Sequence, residues 1–373
     1  MKAIILMNKF LNYLIPDSKN RIEGLDLMRS IAILLVLFYH AWIFMSPFFQ
    51  KVGMLFFMGF WGVELFFVLS GFLVGGIFIK SYINHKADIS HSFILSFWKR
   101  RWIRTIPIYL FALLLNFIVL SFVLNIEIDF PFKYFLFIQN LDSAHPSFFP
   151  EAWSLAIEEW FYILLPVLFL YKNVPKNFSG VLYTILLMIG VYTLIRFLNT
   201  DINTFDINDW DKNVRKVVVN RLDSILYGVL IFVFIYFKSE VIKNNRYKLF
   251  TIGLLGVVFS YLLFFLKVST IFNQVFFLST TSLSFALLIP FFYYFKFKHA
   301  IVKNISLYIS LISYTLYLFH YTLIFRLMNN YFLGNTLTKA ILITASYIVI
   351  SIVFSTFIYY LIEKRFIKLK NKL

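Results

Sequence analysis

The residues of this sequence best able to do chemistry are ionisable side chains embedded in apolar runs. Each costs about 3 kcal/mol or more in a bilayer unless it is paired or hydrated. Arg29 and His40 stand eleven residues apart in the first such run. At 100° per residue an α-helix brings them to within about 20° of one face, and at 1.5 Å per residue separates them by roughly 16 Å. An imidazole titrating near pH ~6.5 suits a general base that takes a hydroxyl proton around neutrality. Glu64, in Trp61-Gly62-Val63-Glu64, is a carboxylate in need of a partner, with His40 the nearest candidate in sequence. Ser70, Gly71, Gly75 and Gly76 in the same run suit close helix approach.

Further along, Lys99-Arg100-Arg101-Trp102-Ile103-Arg104 places Arg101 and Arg104 three residues apart on one helical face. Forked guanidiniums so spaced suit phosphates, as in a coenzyme A, although such a cluster also suits a cytosolic loop flank. Glu158 and Glu159 are adjacent and point about 100° apart, so only one faces a given cavity; Glu158 is assigned to the site and Glu159 to structural support. Arg221 and Asp223 read most plainly as an intramembrane salt bridge, and His320 lies in a later run after Ser313-Tyr314. Glu363-Lys364-Arg365 reads as an anchor at the end of the last run.

The elements that position these residues follow from composition. The 373 residues are 61% hydrophobic, 21% aromatic and 14% charged, against roughly 45–50% apolar and about 25% charged in a soluble domain. A water-soluble globule is excluded. Runs near 20 residues predict ten spans: 27–45, 55–79, 104–124, 153–171, 181–198, 217–237, 249–266, 272–295, 305–325 and 339–362. With the amino terminus inside, inner segments hold 24 Lys and Arg and outer segments 8, the asymmetry of the positive-inside rule. The expected fold is therefore an all-α integral membrane protein of about ten transmembrane helices with both termini cytoplasmic. Residues 1–24 form a cytoplasmic interfacial segment, 25–363 a ten-helix membrane domain and 364–373 a basic cytoplasmic tail. The net charge of +17 faces anionic membrane lipid, and no nucleic-acid module accompanies it. The absence of cysteine excludes disulfides, thiolate metal sites and a thiol nucleophile; no metal is expected. Depth then segregates the polar groups, with Arg29, Arg101 and Arg104 inside and His40, Glu64, Glu158, Glu159, Asp223 and His320 outside.

These residues resemble the bacterial acyltransferase-3 family of integral membrane O-acyltransferases. The resemblance covers nearly the whole chain. It is carried by Gly24-Leu25-Asp26-Leu27-Met28-Arg29 with His40, by Gly62 to Leu73, by Arg101 and Arg104, and by Trp153-Ser154-Leu155 with Glu158, Glu159, Phe161 and Tyr162. Arg221, Asp223, Gly228, Ser313-Tyr314 through His320, and Glu363 complete it. It implies transfer of an acyl group, usually acetyl, from cytoplasmic acetyl-CoA to a hydroxyl of an exported or cell-surface glycan or lipid-linked saccharide, in the bacterial cytoplasmic (inner) membrane. Some members carry an SGNH-hydrolase-like domain; the chain stops at Leu373 after its tenth span, so the membrane domain or a separate periplasmic partner is expected to finish the transfer. On this reading Arg29, Arg101 and Arg104 hold the donor. His40 is the base or a transient acyl carrier, Glu64 or Glu158 orients it, and Glu159, Arg221, Asp223 and His320 give support. The alternative class is a proton-coupled transporter or exporter of a small anion or acylated sugar, using His40, Glu64 and Glu158 as a relay. A lipid-linked sugar glycosyltransferase is a further rival, but the stretch 46–53 lacks the acid such chemistry needs.

Overall fold

The computed structural model describes residues 21–49, 54–85, 91–128, 132–172, 174–332, 334 and 336–370. Of the expected interfacial segment 1–24, residues 1–20 lie outside the described residues, as does the end of the basic tail, and Glu23 and Gly24 belong to the first helix. Ten principal helices run in chain order: α1 Glu23–Ile43, α2 Met54–Ser70, α3 His91–Ile118, α4 Ala152–Lys172, α5 Phe178–Leu198, α6 Leu222–Phe237, α7 Ser239–Phe265, α8 Phe277–Tyr294, α9 Ala300–Phe319 and α10 Leu337–Ile358. Wide π turns extend or precede several of them, at Gly71–Gly75, Val119–Val123, Phe272–Phe276, His320–Phe325 and Tyr359–Glu363. Among the described residues nine helical stretches are long and apolar enough to cross a membrane. The protein is an all-α, multi-pass membrane protein.

Two boundaries differ from expectation, each for a local reason. The α6 helix has 16 residues, a rise of about 24 Å against a hydrocarbon core of about 30 Å. Residues expected at its start instead satisfy their backbone elsewhere: the Val218 and Val219 amides donate to the Asn140 and Leu141 carbonyls at 2.9 and 3.1 Å. The α3 helix begins at His91, thirteen residues before the expected span, so the basic run from Lys99 to Arg104 lies in its body.

The chain divides into two compact units, Met1–Leu65 with Arg104–Glu127 and Phe292–Leu373, and Phe66–Ile103 with Ile128–Phe291. In the first, α1 packs along α9 through small residues: Ser30 Oγ donates to the Ser306 carbonyl at 2.6 Å and Ser310 Oγ to Asp26 Oδ1 at 2.7 Å. Hydroxyls of this kind are the usual polar glue between membrane helices. The α2 helix runs back against α1, with Gly59 on the Tyr39 ring and Gly62 on Ala32 and Val36. Tyr308 and Thr356 hydroxyls meet at 2.5 Å and join α9 to α10.

In the second unit the Gly71–Gly75 turn lies on α6. A Cβ on Gly71 would fall 1.9 Å from the Ile225 carbonyl oxygen, and one on Gly228 2.0 Å from that of Val68. The loop before α4 is pinned by Asn140, whose side-chain amide donates to the Trp153 and Lys216 carbonyls at 3.1 and 2.6 Å.

Candidate functional site

In the first unit, α1 carries Arg29 and His40 and α9 ends at His320. Contacts between these helices advance together, from Ser30 and Ser306 to His40 and His320. His320 Nε2 and His40 Nδ1 are 3.1 Å apart. His320 is fully buried, and its Nδ1 lies 2.9 Å from the Tyr317 carbonyl. His40 Nδ1 also lies 3.0 Å from the Val36 carbonyl.

These acceptors assign the protons. A carbonyl only accepts, so neutral His320 donates from Nδ1 and presents a lone pair at Nε2. His40 Nδ1 then carries its proton, donating toward both Val36 and His320, and the basic lone pair of His40 resides on Nε2. Tyr321 and Phe325, in the wide turn after His320, pack on the His40 ring with centroids at 4.5 and 6.5 Å. Such turns often occur at functional sites.

Arg29 marks the other end of this unit. The α10 helix runs opposite to α9: its Tyr347 ring stands 6.1 Å from Phe325, whereas Glu363, after its end, feels the charges of Arg104 and Arg29. The unit thus has a guanidinium pole with Arg29 and Arg104 and an imidazole pole with His40 and His320. His40 and His320 meet directly, and Arg29 and Arg104 both act on Glu363. Glu64 is fully buried. Since Gly59 meets Tyr39 and Gly62 meets Ala32 and Val36, Glu64 lies further toward the Arg29 level than His40 does. At His40 Nδ1 the neighbouring side chain is a second imidazole.

The second unit holds a separate polar cluster. Glu158 Oε2 accepts from Ser70 Oγ at 3.1 Å, Arg101 Nη2 at 3.2 Å and Tyr162 OH at 2.9 Å. The Ser70 and Tyr162 hydroxyls also lie within hydrogen-bond reach of each other, so one of the two can donate to its neighbour in place of Glu158, and the Arg101 guanidinium lies 4.4 Å from the Tyr162 ring centroid. Trp102 Nε1 donates to buried Glu159 at 3.1 Å. The expected placement of Arg101 inside and Glu158 and Glu159 outside is therefore corrected: these groups share one level.

Asp223 is paired, but not chiefly with Arg221. Its carboxylate receives both Arg196 Nη1 and Nη2, at 2.9 and 2.8 Å, and Ser279 Oγ at 2.7 Å; Arg196 and Asp223 are fully buried. Arg221 lies over the Phe67 ring at 5.5 Å. Sequence reasoning gave no role to Arg196, although a lone cation in an apolar helix signals a buried counter-ion. It also passed over Tyr321, adjacent to His320, and Asn116, a fully buried amide on α3.

The sequence profile described as an acyltransferase domain, that of the acyltransferase-3 family, matches residues 22–360. The chain is 28% identical over 348 residues to O-acetyltransferase OatA of Staphylococcus aureus strain NCTC 8325 / PS 47, covering 84% of this chain and 52% of that protein; OatA of strain COL matches equally. A candidate O-acetyltransferase of strain COL is 27% identical over 286 residues, covering 70% of this chain and 43% of that protein. The chain spans about half the length of the curated relatives it matches. No solved structure matches it. A profile match from the start of α1 to the turn after α10, on a helical membrane fold bearing the Arg29 and His40 helix, establishes that this chain belongs to the acyltransferase-3 family.

Proposed function

We propose that the protein is a membrane O-acyltransferase that moves an acyl group, acetyl in the simplest case, from acyl-CoA to a hydroxyl of an exported or cell-surface glycan. Family membership and the O-acetyltransferase relatives support the reaction class. The observation that carries the mechanism is the 3.1 Å contact between His320 Nε2 and His40 Nδ1, which leaves the lone pair of His40 on Nε2. The donor enters at the guanidinium pole, from the cytoplasm, because the positive-inside asymmetry puts Arg29 and Arg104 at that face. Its thioester reaches His40 along the roughly 16 Å between the two ends of the Arg29 and His40 face.

His40 Nε2 takes the acceptor hydroxyl proton as that oxygen attacks the thioester carbonyl. The tetrahedral adduct collapses with cleavage of the carbon–sulfur bond, and the imidazolium returns its proton to the departing thiolate. His320 accepts from Nδ1–H and stabilises the cation, as the acid does in a triad. In the second unit Arg101, Glu158, Tyr162 and Ser70 form a charge-balanced polar core that positions α3 against α4. The protein resides in the bacterial cytoplasmic membrane, with both termini inside. His40→Ala is expected to abolish transfer of radiolabelled acetyl from acetyl-CoA to glycan in membrane vesicles while leaving insertion intact. Product formation by that variant would end the base assignment, and proton-coupled solute flux without label would move the protein to the transporter class.

A further inference from the structure

Glu363 is a buried acidic residue within range of Arg29 and Arg104 that the mechanism above leaves unused. It ends the wide turn Tyr359–Glu363, one step beyond α10, and is 1% exposed. Neither of its carboxylate oxygens has a hydrogen-bond partner among the described residues. Arg104 and Arg29 are close enough for their charges to act on it. Tyr359, four residues earlier and likewise buried, feels Arg21 and Arg104. The turn thus lies within range of the charges of the arginines of α1 and α3, while its carboxylate accepts from neither.

A buried acceptor with no donor is costly to the folded protein, and a ligand that brings a donor removes that cost. The complement of two guanidiniums beside an unpartnered carboxylate is a molecule carrying an anion and, close to it, a neutral N–H or O–H. An acyl-CoA has this pattern: its pantetheine arm bears a hydroxyl and amide N–H groups next to the pyrophosphate. A bare phosphate or pyrophosphate satisfies the arginines but has nothing to offer Glu363.

We infer that Glu363 is a donor-positioning residue, accepting a hydrogen bond from the pantetheine arm of the acyl donor while the donor's phosphates engage Arg29 and Arg104; this rests on the acyl-CoA reading above. The residue then confers selectivity for the complete donor over its phosphate-bearing fragments. A hydrogen bond to a buried acceptor otherwise left unpaired corresponds to about a ten- to hundredfold change in affinity.

The test is equilibrium binding of coenzyme A and of inorganic pyrophosphate to the purified full chain in nanodiscs, with thermal midpoints recorded in parallel. Glu363→Leu is expected to weaken coenzyme A about ten- to hundredfold and to leave pyrophosphate binding unchanged or tighter. Glu363→Gln, which keeps one acceptor oxygen, is expected to fall between Glu363→Leu and the parent. Arg104→Gln is expected to weaken both ligands. Equal coenzyme A affinity in Glu363→Leu and the parent overturns the inference, as does parallel weakening of both ligands with a lowered thermal midpoint, which marks a structural residue. A parent protein that fails to bind coenzyme A while His40→Ala still abolishes acetylation overturns the donor assignment itself and this inference with it.

Discussion

Replacing His320 by leucine tests the imidazole pair directly. In the resting protein His40 Nδ1–H is shared between the Val36 carbonyl at 3.0 Å and His320 Nε2 at 3.1 Å. When His40 takes the hydroxyl proton it becomes a cation, and the bond to His320 becomes charge-assisted, a class worth about 1.5–3 kcal/mol. At about 1.36 kcal/mol per decade this corresponds to roughly a ten- to hundredfold fall in kcat. Val36 still accepts, so the tautomer is retained, and the loss stays below the roughly 10⁴-fold drop that follows when an orienting group forces the wrong one. Donor KM is expected to change little, because His320 lies at the opposite pole from Arg29 and Arg104. His320→Gln restores an acceptor oxygen near the former Nε2 and is expected to recover most of the rate. The assay is label transfer from acetyl-CoA in vesicles containing the native acceptor, normalised to inserted protein. The double variant His40→Ala/His320→Leu is expected to be no slower than His40→Ala, since the two act as one unit. A wild-type kcat in His320→Leu, or a double variant whose loss is the product of the single losses, would refute the reasoning.

Three further outcomes follow from the described contacts. Arg196→Leu strands the buried Asp223 carboxylate and is expected to cost about 3–5 kcal/mol in thermal unfolding of the purified protein, with Arg196→Leu/Asp223→Leu recovering much of it; a single variant as stable as the parent would show the pair to be inert. Gly228→Ala drives a methyl into the Val68 carbonyl and is expected to lower the thermal midpoint far more than Gly190→Ala, where a Cβ meets nothing within 4 Å; equal midpoints would refute the close approach. In the loop before α4, burial is the main cause that depresses His145 from its ordinary 6.5 to about 3, aided by the Lys216 charge and opposed by the Pro146 backbone. The unfolded chain therefore binds a proton that the folded one refuses. Stability is full above pH 6.5 and falls on acidification toward pH 3, by up to about 1.4 kcal/mol per pH unit. His145→Gln should flatten that decline, and an unchanged pH profile would remove His145 as its source.

What the sequence revealed depended on how local the determining physics was. The shared face of Arg29 and His40 follows from helix periodicity alone, and the all-α membrane fold from the length of the apolar runs; both are legible without neighbours. Periodicity assigns a face, however, and not what the face meets. His320 is 280 residues from His40, so its contact with His40 was hidden behind the nearer carboxylate of Glu64. Arg101 was set apart from Glu158 because periodicity cannot show that α3 meets α4, where the two pair at 3.2 Å. The pairing of Asp223 with Arg196, 27 residues away on a different helix, was concealed for the same reason: hydropathy records a buried charge but not its counter-ion.

The division of the chain sets an order on biosynthesis. The unit that holds both imidazoles draws on the beginning, middle and end of the polypeptide, with most of the other unit synthesised in between. A ribosome adding about 5–20 residues per second delivers His320 some tens of seconds after His40. Throughout that interval the nascent chain can occupy the membrane without the second imidazole, so a message truncated before codon 320 yields an inserted but uncoupled product. The imidazole pair is complete only once α9 has been made.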